Sequence, residues 1–191
     1  MNLPNKLTML RVLLVPVFVI VLFLPEWFGL SEEIAAWIAT FLFIGASVTD
    51  MLDGKIARKH NLITDFGKFM DPIADKLLTC SAMIMLTSLG RLHAAATIVF
   101  IAREFVISGF RLIAAKKGLV IAADGMGKAK TVLQMVFIPA LLLSVCRPFT
   151  FLQPFYNWLW TAVVLVTLVI SVWSCVRYIV HNKGVVDFHD C

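Results

Sequence analysis

The sequence predicts an all-α integral membrane protein: six transmembrane helices, both termini cytoplasmic, one domain over residues 1–191. Three observations predict it. Hydrophobic residues make up 60% of the 191-residue chain and charged residues only 15%, against about a quarter charged in an ordinary soluble domain. The apolar residues gather into six stretches of the length a bilayer core demands, about 20 residues for about 30 Å. The lysines and arginines between those stretches lie overwhelmingly on one side.

The first stretch, near 7–24, is longer than the ~7–15 apolar residues of a signal peptide, and no small-x-small cleavage site follows it. It reads as a retained membrane helix. The second, near 33–50, ends on Asp50. The third, near 71–90, opens on Asp71-Pro72, and proline suits the first turn of a helix. The fourth, near 93–115, carries Arg103, Glu104 and Arg111 inside its apolar run. Residues 118–130, with Gly118, Gly125 and Gly127, read as a mobile loop expected to lie over the site of an acceptor ligand. The fifth and sixth stretches lie near 131–147 and 157–181. There is no internal repeat, low-complexity tract or long linker.

Orientation follows from the basic residues in flanks and short loops, which favour the cytoplasmic side. One side carries Lys6, Arg11, Lys55, Arg58, Lys59, Lys68, Lys116, Lys117, Lys128, Lys130, Arg177 and Lys183, which is twelve; the other has Arg91 and Arg147. The formal net charge of +5 fits membrane orientation and an anionic ligand. Nucleic-acid binding is excluded as a reading, because there is no soluble basic face on which a duplex could dock. Cys80, Cys146, Cys175 and Cys191 are scattered without metal-ligand spacing and read as inert. His60, His93, His181 and His189 do not pair at metal spacing and read as interfacial. Trp27, Trp37, Trp158, Trp160 and Trp173 fit interfacial belts, and the methionines read as core filler.

The chemistry concentrates between the second and third stretches. Four of the eight aspartates stand there in the pattern D-x-x-D-G-x-x-A-R, eight residues, then G-x-x-x-D-x-x-x-D: Asp50, Asp53, Gly54, Ala57, Arg58, Gly67, Asp71 and Asp75. Carboxylates at a bilayer edge are costly unless they pair or bind ions. Residues three or four apart share a helix face, so Asp50 with Asp53, and Asp71 with Asp75, can each point one way. Helix capping explains one or two of these residues, not two pairs at helical spacing. Hard oxygen ligands on two neighbouring helices suit Mg²⁺, Mn²⁺ or Ca²⁺. Small residues beside them leave room for a bulky ligand, and Arg58 offers a planar fork for phosphate oxygens. Such a metal can hold phosphoryl oxygens for in-line attack, and an edge carboxylate can act as general base.

This pattern, matched at all eight positions, resembles the signature of the CDP-alcohol phosphatidyltransferases, whose members are six-helix membrane proteins of about this size. The resemblance implies a single transmembrane catalytic domain over residues 1–191. It implies that Asp50, Asp53, Asp71 and Asp75 hold two ions, Mg²⁺ or Mn²⁺, with Asp75 also the general base. Gly54, Ala57, Arg58 and Gly67 would line the cytidine diphosphate of a CDP-diacylglycerol donor. An alcohol would attack its β-phosphorus and release CMP. The resemblance further implies a homodimer in a bacterial cytoplasmic membrane, among membrane lipids, with the active site at the cytoplasmic face.

Three stretches resemble bacterial members that use glycerol 3-phosphate. One is Asn2 to Arg11, where Asn5 and Thr8 would reach the nucleotide. Another is Ala102-Arg103-Glu104-Phe105 through Arg111. The third is Gly127-Lys128-Ala129-Lys130-Thr131 with Gln134. A phosphate dianion needs neutralising, and Arg103 and Arg111, eight residues apart, lie on one helix face about two turns apart. With Lys130 they could converge on one phosphate; snorkelling to lipid headgroups is the competing reading, favoured for Lys116 and Lys117. Glu104 is expected not to face adjacent Arg103 and to pair with Lys76 or Lys130. The alternatives are an acceptor such as serine or inositol phosphate, or a cation-coupled transporter. Serine would not require three cations. A transporter would set its carboxylates near the bilayer midplane at broken helices, not at one face beside an arginine.

Overall fold

The computed structural model describes the backbone of residues 3–59, 65–116, 125–146, 149 and 153–182, with side chains except those of 3–7, 50–59, 65–72, 75 and 116. Six long helices make up nearly all of it: α1 (Leu3–Phe28), α2 (Glu32–Lys59), α3 (Asp65–Ser88), α4 (Ala94–Lys116), α5 (Gly125–Leu142) and α6 (Gln153–His181). A short 3₁₀ turn, Leu143–Val145, prolongs α5.

The connections at one end are tight for identifiable reasons. Gly29 adopts φ +67 and Gly90 φ +70, the left-handed conformation that glycine takes without steric cost at helix ends. Gly29 N–H then returns to Pro25 O at 3.1 Å, and Arg91 N–H to Leu86 O at 2.8 Å. Ser31 O accepts from Ala35 N–H at 3.1 Å as α2 begins, and Glu32 and Glu33 place negative charge at that helix's positive end. His93, expected to be merely interfacial, opens α4: its Nδ1 accepts from Ala95 N–H at 3.2 Å.

The helices form two groups. In the first, α1 packs on α2 and α3; in the second, α6 packs on α4 and α5, and α2 with α5 and α3 with α4 and α5 join the two. Phe18, Phe43, Phe100, Phe137, Met83, Leu86, Ile138 and Leu142 are fully buried in the core. Phe18 and Phe43 meet with centroids 6.4 Å apart, and Phe100 and Phe137 at 5.9 Å. Ala35, Ala39 and Ala46 are buried on α2, where small side chains let membrane helices approach closely. Large apolar residues face outward all round, among them Leu13, Phe41, Ile98, Phe105, Leu112, Trp158 and Val169, as a lipid-facing surface requires.

Among the described residues, four segments are long and apolar enough to cross a membrane: Thr8–Phe28, Glu32–Thr49, Gly125–Val145 and Gln153–His181. The apolar part of α3 is shorter, Lys76–Ser88, because its first three turns carry the charged motif. Arg103, Glu104 and Arg111 interrupt α4.

Three expected boundaries are corrected. α2 continues nine residues past Asp50, to Lys59. α3 begins at Asp65, so Asp71-Pro72 is not its start; proline's preference for first turns yields to its context here. α5 begins at Gly125, which makes residues 125–130 helix and not loop.

Glu32, Arg91 and the end of α5 meet at one end of the bundle. Arg91 Nη1 donates to Leu142 O at 2.8 Å, and Nη2 lies 3.7 Å from Glu32 Oε2. Burial lowers the Arg91 pKa from its ordinary value, against the opposing pull of Glu32. The motif segments therefore lie at the opposite end, where α2 finishes and α3 starts, together with the C-terminal halves of α4 and α6 and the start of α5.

Candidate functional site

Asp50 and Asp53 fall on the last three turns of α2, with Gly54, Ala57 and Arg58 following on the same helix. Gly67, Asp71 and Asp75 fall on the first three turns of α3. Each aspartate pair thus sits on continuous helix, and α2 and α3 are in contact. The side chains of these eight residues lie outside the described residues, as does that of Asn5. The backbone thus carries four carboxylate residues on two adjacent helices, and carboxylate oxygens are hard donors of the kind divalent cations favour.

On α1 the described side chains begin at Thr8. Thr8 and Arg11 are each 2% exposed. One helical turn apart, they turn one face of α1 inward at the motif end. Arg11 had counted only as a flanking charge. Its spacing from Thr8 was the signal that it shares an inward face.

The charged residues of α4 and α5 come together. Lys130, one turn and a half into α5, is 1% exposed, and its ammonium donates to the Glu104 carboxylate of α4. Lys76 of α3 acts electrostatically on the same carboxylate. Both partners named from sequence therefore lie beside Glu104. Arg103 also reaches Glu104, with Nη1 3.3 Å from Oε1. This corrects the expectation that adjacent residues do not face each other: a long guanidinium arm folds back where backbone direction alone does not bring it.

Two residues of α6, unremarked in the sequence, complete the arrangement. Ser174 Oγ accepts from Arg103 Nη2 at 3.5 Å. Tyr178 Oη accepts from Arg111 Nε at 3.4 Å, and the Arg111 guanidinium carbon sits 5.8 Å from the Tyr178 ring centre. Ser174 and Tyr178 are both buried. Gly127 matters by what it lacks: a Cβ there would stand 3.3 Å from Arg103 Nη2 and 3.9 Å from Ser174 Oγ. Gln134, one turn beyond Lys130, is buried with its Nε2 3.5 Å from Met83 Sδ.

The structure thus joins Arg103, Glu104 and Lys130 in one cluster and holds Arg111 two turns along α4 against α6. Arg103, Arg111, Lys130 and Lys76 outnumber the single carboxylate of Glu104, so the cluster carries a net positive charge suited to an anionic ligand. Lys128 and Arg177 lie nearby in sequence. Lys128 is exposed, and Arg177 Nη1 lies 3.7 Å from Met126 Sδ on an exposed face.

A family model for CDP-alcohol phosphatidyltransferases matches residues 1–173. A CDP-diacylglycerol–glycerol-3-phosphate 3-phosphatidyltransferase of Bacillus subtilis is 44% identical over 181 residues, covering 91% of this chain and 92% of that protein. One of the same name from Rickettsia felis is 39% identical, covering 75% and 76%. A probable phosphatidylglycerophosphate synthase of Mycobacterium tuberculosis is 40% identical, covering 77% and 68%.

Proposed function

The chain belongs to the CDP-alcohol phosphatidyltransferase family, and on that premise we propose that it transfers the phosphatidyl group of CDP-diacylglycerol to glycerol 3-phosphate. The products are phosphatidylglycerophosphate and CMP. The observation that carries the acceptor is the cluster of Lys130, Arg103 and Glu104 with Arg111 beside it. Lys130 and Arg103 are enclosed and share one carboxylate, and an excess of cations within an apolar bundle suits a wet, anionic site. An acceptor without a phosphate gives them no task, and relatives bearing this acceptor in their names support the same reading.

Asp50, Asp53, Asp71 and Asp75 would hold two divalent ions, Mg²⁺ or Mn²⁺. Such ions, when bound, neutralise the diphosphate and ease departure of CMP. Gly54, Ala57, Arg58 and Gly67 line the cytidine diphosphate, and Asn5 and Thr8 reach the nucleotide. Arg103, Arg111 and Lys130 hold the acceptor's phosphate. That contact orients the free hydroxyl toward the β-phosphorus. Asp75 takes the hydroxyl proton as the new oxygen–phosphorus bond forms and the bond to CMP breaks.

All six helices cross the membrane in this reading, α3 and α4 with charged turns in their spans. The basic asymmetry places both termini and the motif on the cytoplasmic side of a bacterial inner membrane, where CDP-lipid headgroups and soluble acceptors meet. The protein acts as a homodimer. An acceptor screen decides the function: purified protein, CDP-diacylglycerol and Mg²⁺, with CMP release measured for each alcohol. Glycerol 3-phosphate should give the highest kcat/KM. A higher value for serine, inositol phosphate or glycerol would overturn the acceptor and leave the family in place.

A further inference from the structure

We propose that Ser174 and Tyr178 of α6 are positioning residues that draw Arg103 and Arg111 together onto one phosphate, and so set the preference for a phosphorylated acceptor. The inference rests on the acceptor pocket proposed above. Arg103 and Arg111 are eight residues apart, about 12 Å along the axis of α4. Left to themselves, two arginines at that separation grip two different places. Their anchors are Ser174 and Tyr178, four residues apart and so about 6 Å along α6. Tied to the closer pair, the guanidinium groups are drawn inward to a spacing that one phosphate between them can bridge by charge-assisted hydrogen bonds.

The two anchors are built differently. Ser174 is 1% exposed and sits where Gly127 lets α5 close over it. Its hydroxyl meets the tip of Arg103, and Arg103 Nη1 lies against Glu104. Tyr178 is fixed on three sides. Its ring meets Phe110 edge-on at 5.7 Å, it packs in a small apolar cluster with Ile107, Cys175 and Ile179, and its carbonyl accepts from Asn182 Nδ2 at 2.8 Å. A ring so held is a rigid shelf. Arg111 is exposed as a whole residue, yet its guanidinium meets both the face and the hydroxyl of that shelf. An exposed arginine is otherwise free to sample many rotamers, and the shelf selects the inward one.

The test uses the full-length protein in mixed micelles with CDP-diacylglycerol and Mg²⁺. It compares kcat and KM for glycerol 3-phosphate, glycerol and the CDP-lipid among the native protein, Ser174→Ala, Tyr178→Phe, Tyr178→Leu and Arg111→Lys. Tyr178→Phe keeps the ring and removes only the hydroxyl. It should raise the KM for glycerol 3-phosphate about 3- to 10-fold, as loss of one hydrogen bond does, and leave the KM for CDP-lipid in place. Ser174→Ala should do the same, and Tyr178→Leu should do more. The preference for glycerol 3-phosphate over glycerol should fall in each, because glycerol never used the anchors. A merely structural role would lower use of both acceptors by one factor, and that result overturns the inference. If Arg111→Lys raises the KM for glycerol 3-phosphate but Ser174→Ala and Tyr178→Phe do not, the pocket stands and the anchoring fails. If Arg111→Lys has no effect on that KM, the pocket itself is misplaced and the anchoring falls with it. Should Tyr178→Leu unfold, Tyr178→Phe decides alone.

Discussion

The Lys130 ammonium on α5 donates to the Glu104 carboxylate on α4, and the lysine is almost wholly enclosed. A lysine so placed, next to the start of its helix, depends on that carboxylate for much of its compensation. The same carboxylate also lies 3.3 Å from Arg103. One acidic group therefore organises two of the three cations assigned to the acceptor, and it links α4 to α5.

Glu104→Gln should be among the most destabilising single changes outside the aspartate motif. Removing one partner of a buried pair costs about 3–5 kcal/mol, with the upper part of that range softened because Glu104 is 17% exposed. Thermal unfolding in detergent reads the loss. Glu104→Gln combined with Lys130→Met should be more stable than Glu104→Gln alone, since the enclosed ammonium is then no longer left without its carboxylate. A double variant as unstable as the single one would show that the pair does not carry the effect.

Metal dependence should be complete. Excess chelator should stop CMP release, and added Mg²⁺ or Mn²⁺ should restore it. Asp50→Asn and Asp71→Asn should each abolish turnover and leave the thermal transition in place. Turnover by either variant, or in chelator, would remove these carboxylates from the mechanism.

One substitution separates the base and ligand roles proposed for Asp75. Asp75→Asn retains a coordinating oxygen and cannot accept a proton. CDP-lipid binding should survive while kcat falls about 10²–10⁴-fold, the usual range for loss of a general base. Near-native kcat in this variant would assign the proton to another group.

Arg111→Lys should raise the KM for glycerol 3-phosphate about 10- to 150-fold, the equivalent of one charge-assisted contact. Lysine keeps the charge but loses the fork and the flat stacking surface that Tyr178 engages. The KM for CDP-lipid should hold steady. An effect confined to CDP-lipid would move Arg111 to the donor side.

Gly127→Ala sets a new methyl group 3.3 Å from Arg103 Nη2. The guanidinium tip is mobile enough to give way by a few tenths of an ångström, so the fold should persist. The cost should appear as a raised KM for glycerol 3-phosphate, measured beside an unchanged unfolding temperature. Loss of stability with KM intact would make Gly127 a packing residue only.

The number of helices was legible because long apolar runs separated by charge have few other readings in a chain 60% hydrophobic. The aspartate motif was legible because its spacing is local: three and four residues along one helix. Arg103, Arg111 and Lys130 stood out as charges inside apolar stretches. Their partners did not. Ser174 lies 71 positions from Arg103 and Tyr178 lies 67 from Arg111, and a serine or tyrosine on an apolar helix signals nothing until packing brings an arginine to it. The Arg103–Glu104 contact was missed for a different reason. Rules about which helix positions face each other concern where side chains leave the backbone, and a four-bond arm can end elsewhere. The start of α3 was misplaced because Pro72 is a strong helix-opening signal, and the seven residues of helix ahead of it, with Asp65, Lys68 and Asp71 among them, do not look apolar enough to belong.

Arg91 joins the end of α5 to the start of α2 at the far side of the bundle from the aspartates. That contact fixes where α2 starts relative to the end of α5. α2 has 28 residues and so is about 42 Å long at 1.5 Å per residue. Over that length a difference of about 5° in tilt displaces the far tip by roughly 3–4 Å, so the direction α2 takes at Arg91 governs where the backbone of Asp50 and Asp53 comes to lie.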